Sequence, residues 1–201
     1  MAALMVADPL RILDLAQTRA AAVIAALGPE DWARPTPCDE WSVRDIVNKM
    51  TASTIVFSAF GRREPHPGLD LIHPVELLGD DELGSYLAAA ADCRSVWRAA
   101  GALDGNAPST VGEFPAKAVL NARIFDTTIL TWDVATACGV AHGIDDEQAA
   151  YVLRVARALV PNVRSVSPER YKEPGDLGST APLVEQVIAA TGRNPAWRPP
   201  A

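Results

Sequence analysis

The sequence contains no long apolar run and has few cysteines. No apolar stretch approaches the roughly 20 residues that a membrane-spanning helix requires, so we expect no membrane partner. Residues Met1 to Ala7 lack the basic start and long apolar core of a signal peptide. The three cysteines are widely spaced and odd in number, which is typical of reduced thiols and predicts a cytoplasmic protein.

Positive charge and aromatic side chains are also scarce. The 18 Lys and Arg residues against 25 Asp and Glu leave a net charge of −7, and this balance argues against a nucleic-acid partner because phosphate binding needs clustered basic residues. Aromatic residues make up 6% of a chain that is 49% hydrophobic, which favours a helical core over a β-sandwich. A length of 201 residues suits one buried domain, so we expect a single domain over residues 1–201.

Capping residues and helical spacing of apolar residues predict the helices. Asp8 and Pro9 open the first helix, which Gly28 closes, and Ser42 with Asp45 forms a capping box for the second, which runs to residue 61. Further helices are expected over residues 80–100, 116–138, about 145–161 and 182–192. Connections of very different length indicate an all-α bundle with at least one long crossover.

Two connections are expected to be irregular. Residues 62–74 carry three prolines, two histidines and a glycine. Residues 104–115 are expected to form a loop with at most one short extended piece around Thr110. On the third helix, the apolar spacing predicts four inward residues: Leu83, Leu87, Ala90 and Val96.

The fourth helix places two carboxylates where a core helix should be apolar. Its inward stripe is expected to contain Val119, Ala122, Asp126, Leu130, Asp133 and Ala137. A buried carboxylate without a partner costs several kcal/mol, so each needs a donor or a cation. For Asp133 we expect a structural hydrogen bond near the helix end.

A cation for Asp126 is present on the second helix. Lys49 lies on the border of its apolar stripe, beside Met50 and one turn before Ser53. If the two helices are neighbours, Lys49 can meet Asp126. The alternative is a lysine whose ammonium extends into the solvent, and the sequence leaves both readings open.

Four segments, taken together, resemble a known family. They are Thr36-Pro-Cys-Asp-Glu-Trp-Ser-Val-Arg-Asp-Ile-Val-Asn-Lys49, Val111-Gly-Glu-Phe-Pro115, Thr131-Trp-Asp-Val-Ala-Thr-Ala-Cys-Gly139 and Gly192-Arg-Asn-Pro-Ala-Trp197. Their order and spacing resemble actinobacterial DinB-like proteins of the mycothiol-dependent maleylpyruvate isomerase N-terminal type. The resemblance implies an all-α, DinB-like four-helix bundle in up-down-down-up order, with extra short helices, and a homodimer as a possible assembly.

The resemblance also implies a metal site whose ligands have changed. Relatives hold a divalent metal through one His on the second helix and a Glu-x-x-x-His pair on a later helix, a spacing that stacks two ligands on one face. These three positions correspond to Lys49, Asp126 and Leu130. Only Asp126 keeps a metal-capable atom, because a leucine has no lone pair and an ammonium group has no acceptor. We therefore expect no bound zinc, iron or nickel, and no cofactor.

Other candidate ligands are isolated in the sequence. His66 and His73 lie in a proline-rich loop and His142 follows a glycine turn, so surface positions are expected for all three. Cys38 precedes a helix N-terminus, a position that can lower a thiol pKa. The other reading of Cys38 is a small buried residue that packs the loop.

Three functional hypotheses follow. The first is a protein that binds a small organic molecule, with a thiol such as mycothiol among the candidates, in a pocket lined by Lys49, Asp126, Leu130, Met50, Ser53 and Asp133. The alternative is a metal-independent isomerase, cyclase or thiol transferase, in which Lys49 stabilises a substrate carboxylate or enolate and Asp126 acts as acid or base. The third is a structural salt bridge without a pocket.

Overall fold

The computed structural model describes residues 7–39, 41–166, 171–175 and 177–200. The N-terminal segment 1–6, and Glu40 within the 36–49 segment, lie outside the described residues. The helices are α1 (Pro9–Ala25), α2 (Val43–Gly61), α3 (Glu82–Arg98), α4 (Ala116–Cys138), α5 (Asp146–Val166) and α6 (Leu183–Ala190), and the strands are β1 (Asn106–Ser109) and β2 (Gly112–Pro115). No helix in these ranges combines the length and the apolarity that a bilayer crossing requires.

The predicted helix starts are confirmed. The Asp8 carboxylate accepts a hydrogen bond from the backbone N–H of Leu10 at 3.0 Å, and a proline occupies the first turn of α1. At the start of α2, the Ser42 hydroxyl accepts from the backbone N–H of Asp45, whose carboxylate accepts from that of Ser42. These bonds satisfy end groups that a helix cannot pair internally.

Ion pairs and hydrogen bonds fix the direction of α3 relative to α1. Arg98 at the end of α3 pairs with Asp14 near the start of α1. One turn earlier on α3, Arg94 donates to the amide oxygen of Gln17, which lies further along α1. The two helices are therefore antiparallel.

α2 runs parallel to α3. Arg44 at the start of α2 pairs at 2.7 Å with Glu82 at the start of α3. Beyond the other end of α2, Arg62 pairs with Asp92 in the second half of α3. The connection over residues 62–81 must therefore return along the length of the bundle, and it contains no helix or strand. The prediction that residues 62–74 are irregular is confirmed.

α4 runs antiparallel to α2. Lys49 pairs with Asp126, and Ser53, one turn later on α2, accepts a hydrogen bond from Arg123, one turn earlier on α4. Together with the directions of α1 and α3, this gives the predicted up-down-down-up order.

α4 is the central helix of the bundle. It packs against α1, α2 and α5, and side chains on all sides of it are buried, including Leu120, Phe125 and Val134. A helix that is enclosed all round loses the apolar and polar faces of a surface helix. Polar side chains on α4 must therefore find partners inside the protein.

The connection between α3 and α4 is more regular than predicted. β1 and β2 form an antiparallel hairpin in which Asn106 pairs with Pro115 and Ser109 with Gly112. Thr110 lies in the turn and not in an extended segment, so the prediction of a single extended piece is wrong. Gly112, with φ of 122°, adopts a backbone conformation that other residues rarely accept at this turn.

The buried face of α3 also differs from the predicted one. Leu87 is 42% exposed, whereas Ala90 is buried and Leu83 and Val96 are half-buried. The buried face contains Tyr86, Ala89, Ala90, Cys93 and Trp97. Four successive alanines in this helix give little hydrophobic contrast, and the large aromatic side chains determine which face is buried.

α5 does not end near Pro161 as predicted but continues through it to Val166. Proline lacks the N–H that would bond the carbonyl of the preceding turn. Beside it, the side-chain amide of Asn162 donates to the carbonyl of Ala158 at 2.6 Å. The bond lies next to the carbonyl of Arg157, which is the one that Pro161 leaves without its helical donor.

Candidate functional site

The candidate site lies where α2 faces α4. The Nζ of Lys49 is 3.5 Å from Oδ1 of Asp126, and the two side chains are 22% and 20% exposed. The predicted contact is confirmed, and the alternative of a lysine that extends freely into solvent is wrong. The pair is therefore partly accessible to solvent.

The second oxygen of Asp126 is held from inside the bundle. Its Oδ2 accepts a hydrogen bond from the Ser53 hydroxyl at 2.9 Å and another from Nη1 of Arg123 at 3.2 Å. Burial raises the pKa of Asp126, but the charges of Lys49 and Arg123 and the bond from Ser53 outweigh it, so the pKa lies below its ordinary value. Asp126 is therefore a carboxylate at neutral pH.

Arg123 is a site residue that the sequence analysis missed. Its side chain is completely buried. Its Nε donates to the Thr127 hydroxyl at 2.8 Å, and its Nη1 donates to Ser53. Its guanidinium also lies over the ring of Phe57, with the central carbon 5.8 Å from the ring centroid. The sequence did contain one indication of this role: Arg123 lies three residues before Asp126, a spacing at which opposite charges meet on a helix.

Apolar side chains border the charges. Leu130 and Met50 are 2% and 1% exposed, and Ser53 is 1% exposed. Leu130 lies one helical turn after Asp126 and adds no donor or acceptor from its side chain. Among the described residues, no group of three or more His, Cys, Asp or Glu side chains has the arrangement to hold a metal ion.

Asp133 makes the predicted structural bond, but with a partner that the sequence analysis did not identify. Arg193, which follows α6, places Nε 2.8 Å from Oδ1 and Nη2 2.9 Å from Oδ2 of this fully buried carboxylate. Burial raises the pKa of Asp133 above its ordinary value, although the charge and hydrogen bonds of Arg193 partly offset that effect. Two parallel N–H bonds to one carboxylate are the geometry of an ionised pair.

Cys38 belongs to the same buried cluster. Its thiol donates to Oδ2 of Asp133 at 3.3 Å, and its sulfur accepts from Nη2 of Arg193 at 3.1 Å. Burial, followed by the negative charge of Asp133, raises the pKa of Cys38 to about 12. The hypothesis that a helix N-terminus lowers this pKa is therefore wrong. Cys38 is a neutral packing residue of the loop before α2.

An aromatic ring and a small cleft lie beside the charges. The Nζ of Lys49 is 5.9 Å from the ring centroid of Trp41. Trp41 and Cys38 also line an open cleft of about 260 Å³ in the loop between α1 and α2. Ligand pockets usually enclose about 300 to 1,000 Å³, so only a small molecule fits at this position. A larger open groove, of about 610 Å³, lies between α1 and the start of α3 and is not lined by any of these residues.

Two of the three histidines lie at the surface, as expected, whereas His142 is half-buried. His66 and His73 are exposed, and Nδ1 of His66 accepts a hydrogen bond from the backbone N–H of Gly68. Nδ1 of His142 accepts from the backbone N–H of Ile144 at 3.0 Å. These bonds stabilise local turns.

The chain is similar to known proteins in sequence. A family model described as the mycothiol maleylpyruvate isomerase N-terminal domain matches residues 13–135. Two proteins of Mycobacterium tuberculosis, from two strains and both named as uncharacterized, are 28% identical over 187 residues, which is 92% of this chain and 98% of each relative. The matched range of the family model extends from α1 into α4 and contains Lys49, Asp126, Leu130 and Asp133, but not Arg193.

Solved structures give the same fold. A crystal structure of the mycothiol-dependent maleylpyruvate isomerase has a TM-score of 0.60 at 15% identity and covers 75% of this chain and 67% of that chain. The structure of a histidine-to-alanine mutant of that enzyme has a TM-score of 0.57 at 13% identity. The predicted DinB-like fold is therefore confirmed.

The Asp126 pairing makes a pH-dependent contribution to stability. We expect Asp126→Asn to lower the free energy of unfolding at pH 7 by about 2 kcal/mol, because Lys49 and Arg123 lose their counter-charge. The native pKa of Asp126 is depressed, so its contribution is present above the unfolded value near 4 and is lost as pH falls through the native value. Urea unfolding at a series of pH values measures the difference, which should shrink below about pH 4. Asp92→Asn, which removes an exposed pair, is the control, and equal stability of Asp126→Asn and the wild type at pH 7 would contradict the pairing.

The raised pKa of Cys38 predicts an unreactive thiol. At pH 8 a thiol with a pKa of about 12 is only about one part in ten thousand thiolate. In a Cys93→Ala/Cys138→Ala background, we expect a disulfide reagent such as dithionitrobenzoate to label native Cys38 at least about a hundredfold more slowly than the urea-unfolded chain. Rapid labelling of the native protein would instead support activation by the helix N-terminus.

Proposed function

We propose that this chain, which belongs to the mycothiol maleylpyruvate isomerase N-terminal domain family, binds a small organic anion in its helical bundle at a degenerate metal site. One observation carries the proposal: the Lys49 ammonium is partly exposed and lies 3.5 Å from Oδ1 of Asp126. Lys49 occupies a position at which relatives are expected to have a metal ligand. An ammonium has three donors, so others are available to a ligand.

The donor set does not fit a metal ion. Of the three positions that correspond to the family's ligands, Lys49 is a cation, Leu130 has no lone pair, and Asp126 already accepts hydrogen bonds from Ser53 and Arg123. Tight sites for zinc and similar ions use three or four protein ligands. The charges of Lys49 and Arg123 would also repel a divalent cation.

The charge balance favours an anion. Lys49, Arg123 and Asp126 together carry a net charge of one positive unit, while Asp133 and Arg193 neutralise each other. An excess positive charge in a partly buried site is stabilised by a negatively charged ligand. A carboxylate or an enolate has the required charge, and Trp41 beside Lys49 offers an apolar surface to the rest of such a molecule.

Binding is a better description of this geometry than catalysis. Acid–base work at neutral pH is most efficient when the pKa of the group lies near the operating pH. The pKa of Asp126 is instead lowered, and both of its oxygens are already engaged. The alternative of an isomerase, cyclase or thiol transferase that uses Lys49 and Asp126 therefore comes second.

Compartment and assembly complete the proposal. The three cysteines are unpaired in the structure, which supports a reducing, cytoplasmic location. A homodimer stays a prediction. Because the solved structures carry the name of a mycothiol-dependent enzyme, mycothiol belongs in a ligand screen beside small carboxylates.

Metal analysis tests the degenerate site. We expect the wild-type protein, purified without chelator, to contain no stoichiometric zinc, iron or nickel by elemental analysis. A variant that combines Lys49→His, Asp126→Glu and Leu130→His restores the expected ligand set and should bind zinc in a competition titration. Stoichiometric metal in the wild type that disappears in Asp126→Ala would contradict the proposal.

Binding of maleate tests the anion site. We expect isothermal titration to detect maleate binding that Lys49→Met weakens at least about tenfold, equivalent to about 1.4 kcal/mol. Lys117→Met, which removes an exposed lysine on α4, should bind as the wild type does, and the uncharged analogue maleamide should not bind. If neither maleate nor mycothiol binds or raises the melting temperature, the charges are a structural pair. Conversion of maleate to fumarate by the chelator-treated protein would favour the enzyme.

A further inference from the structure

The small cleft beside the charges is formed by the loop that precedes α2. Its volume is about 260 Å³, and its lining residues are Ala33, Pro35, Thr36, Cys38, Trp41 and Ser42. Trp41 also contacts the charged site, because the Nζ of Lys49 lies 5.9 Å from the centroid of its ring. Trp41 therefore borders both the cleft and the ammonium group that is proposed to bind an anion.

The hydroxyl groups of the cleft are already engaged in local hydrogen bonds. The Thr36 hydroxyl donates to the carbonyl of Trp41 at 2.9 Å and accepts from the backbone N–H of Cys38 at 3.2 Å. The Ser42 hydroxyl donates to the carboxylate of Asp45 and accepts from the backbone N–H of the same residue. A ligand group that displaced these bonds would leave polar atoms without partners. The cleft therefore favours an apolar group over a polar one.

The wall of the cleft is held in place by residues outside the loop. The sulfur of Cys38 lies 3.3 Å from Oδ2 of Asp133 and 3.1 Å from Nη2 of Arg193. The next residue, Asp39, pairs with Lys172 at 2.6 Å. A wall that is fixed before binding loses little conformational freedom when a ligand enters, so the ligand retains more of its interaction free energy.

The size of the cleft suits one ring. An apolar cavity of about 150 Å³ is enough to hold benzene, and the cleft encloses about 260 Å³. A flat ring also matches the indole of Trp41, since two aromatic rings attract each other when they are offset-stacked or meet edge to face. A ring in this position lies beside Lys49, so a short acid can place its ring on Trp41 and its carboxylate at the ammonium.

We propose that the anion bound at Lys49 is an arylalkanoate, a monocarboxylate whose single aromatic ring packs in the cleft against Trp41. This inference rests on the proposed function, because Lys49 supplies the charge that holds the carboxylate. It adds the class of the ligand and assigns specificity for the ring to Trp41 and the cleft. Phenylacetate is a simple member of this class.

The first experiment fills the cleft without removing a contact. Ala33 is exposed and lines the cleft, so Ala33→Leu places a larger side chain in the space of the ring. In isothermal titration we expect Ala33→Leu to bind phenylacetate at least about tenfold more weakly than the wild type, but maleate, which has no ring, within about twofold of it. The matched control is Ala25→Leu, an exposed alanine of the larger groove, which should leave the binding of both ligands unchanged.

The outcomes separate this inference from the proposed function. If Ala33→Leu leaves phenylacetate binding unchanged, weakens both ligands equally, or has the same effect as Ala25→Leu, the ring does not occupy the cleft and the inference is wrong. Binding of maleate that depends on Lys49 would still support the anion site in that case. Phenylacetate binding that Lys49→Met leaves unchanged would show a ring bound without the charge, and would also overturn the inference. If the wild type binds neither anion, both proposals are wrong.

A second experiment locates the ring. Nuclear magnetic resonance spectra of isotope-labelled wild type, Trp41→Phe and Trp32→Phe identify the indole N–H signals of these two tryptophans. Phenylacetate should shift the Trp41 signal, because an aromatic ring changes the magnetic field at adjacent protons. The signal of Trp32, which lines the larger groove, should stay in place. An unshifted Trp41 signal, or a shift at Trp32 alone, would overturn the inference.

Discussion

The arrangement of this protein depends on the need to compensate two carboxylates on its central helix. Asp126 and Asp133 both lie on α4, which is enclosed by its neighbours. Each carboxylate receives a guanidinium, from Arg123 and Arg193 respectively. Removal of one partner from a buried ion pair costs more free energy than the pair itself contributes. A substitution of either carboxylate therefore destabilises the fold unless its arginine partner changes as well.

The third cation gives the site its chemical character. Both carboxylates already have a guanidinium partner, yet Lys49 also approaches Asp126. Under the proposed function, these side chains supply the positive charge that a divalent ion is expected to supply in relatives. The proposal thus explains why three cations surround two carboxylates at the centre of the bundle.

The sequence predicted the fold well and the site in part. Helix caps and family motifs identified the bundle and its order. The places of Lys49 and Asp126 on the apolar stripes of two helices predicted that they can meet if those helices are neighbours. Arg123 was missed because an arginine in a helix is usually at the surface. The segment containing Arg193 was noticed, but Asp133 lies 60 residues earlier in the chain, and local patterns carry no information on such a contact. On α3, successive alanines left the orientation of the helix ambiguous, and Leu87 was assigned to the wrong face.

The parallel arrangement of α2 and α3 has a consequence for how the chain can vary in length. α2 has 19 residues and is therefore about 28 Å long. An extended chain covers about 3.3 Å per residue, so roughly nine residues would suffice to return along it. The connection over residues 62–81 is about twice that length and includes exposed residues such as Ile72 and Val75. Asn48 bonds the backbone of Val75 and Leu77, and Leu78 is buried, so the second half of this connection is fixed to the bundle. Insertions and deletions are therefore expected in the exposed part over residues 64–68, where they leave the register of the charged helices unaltered.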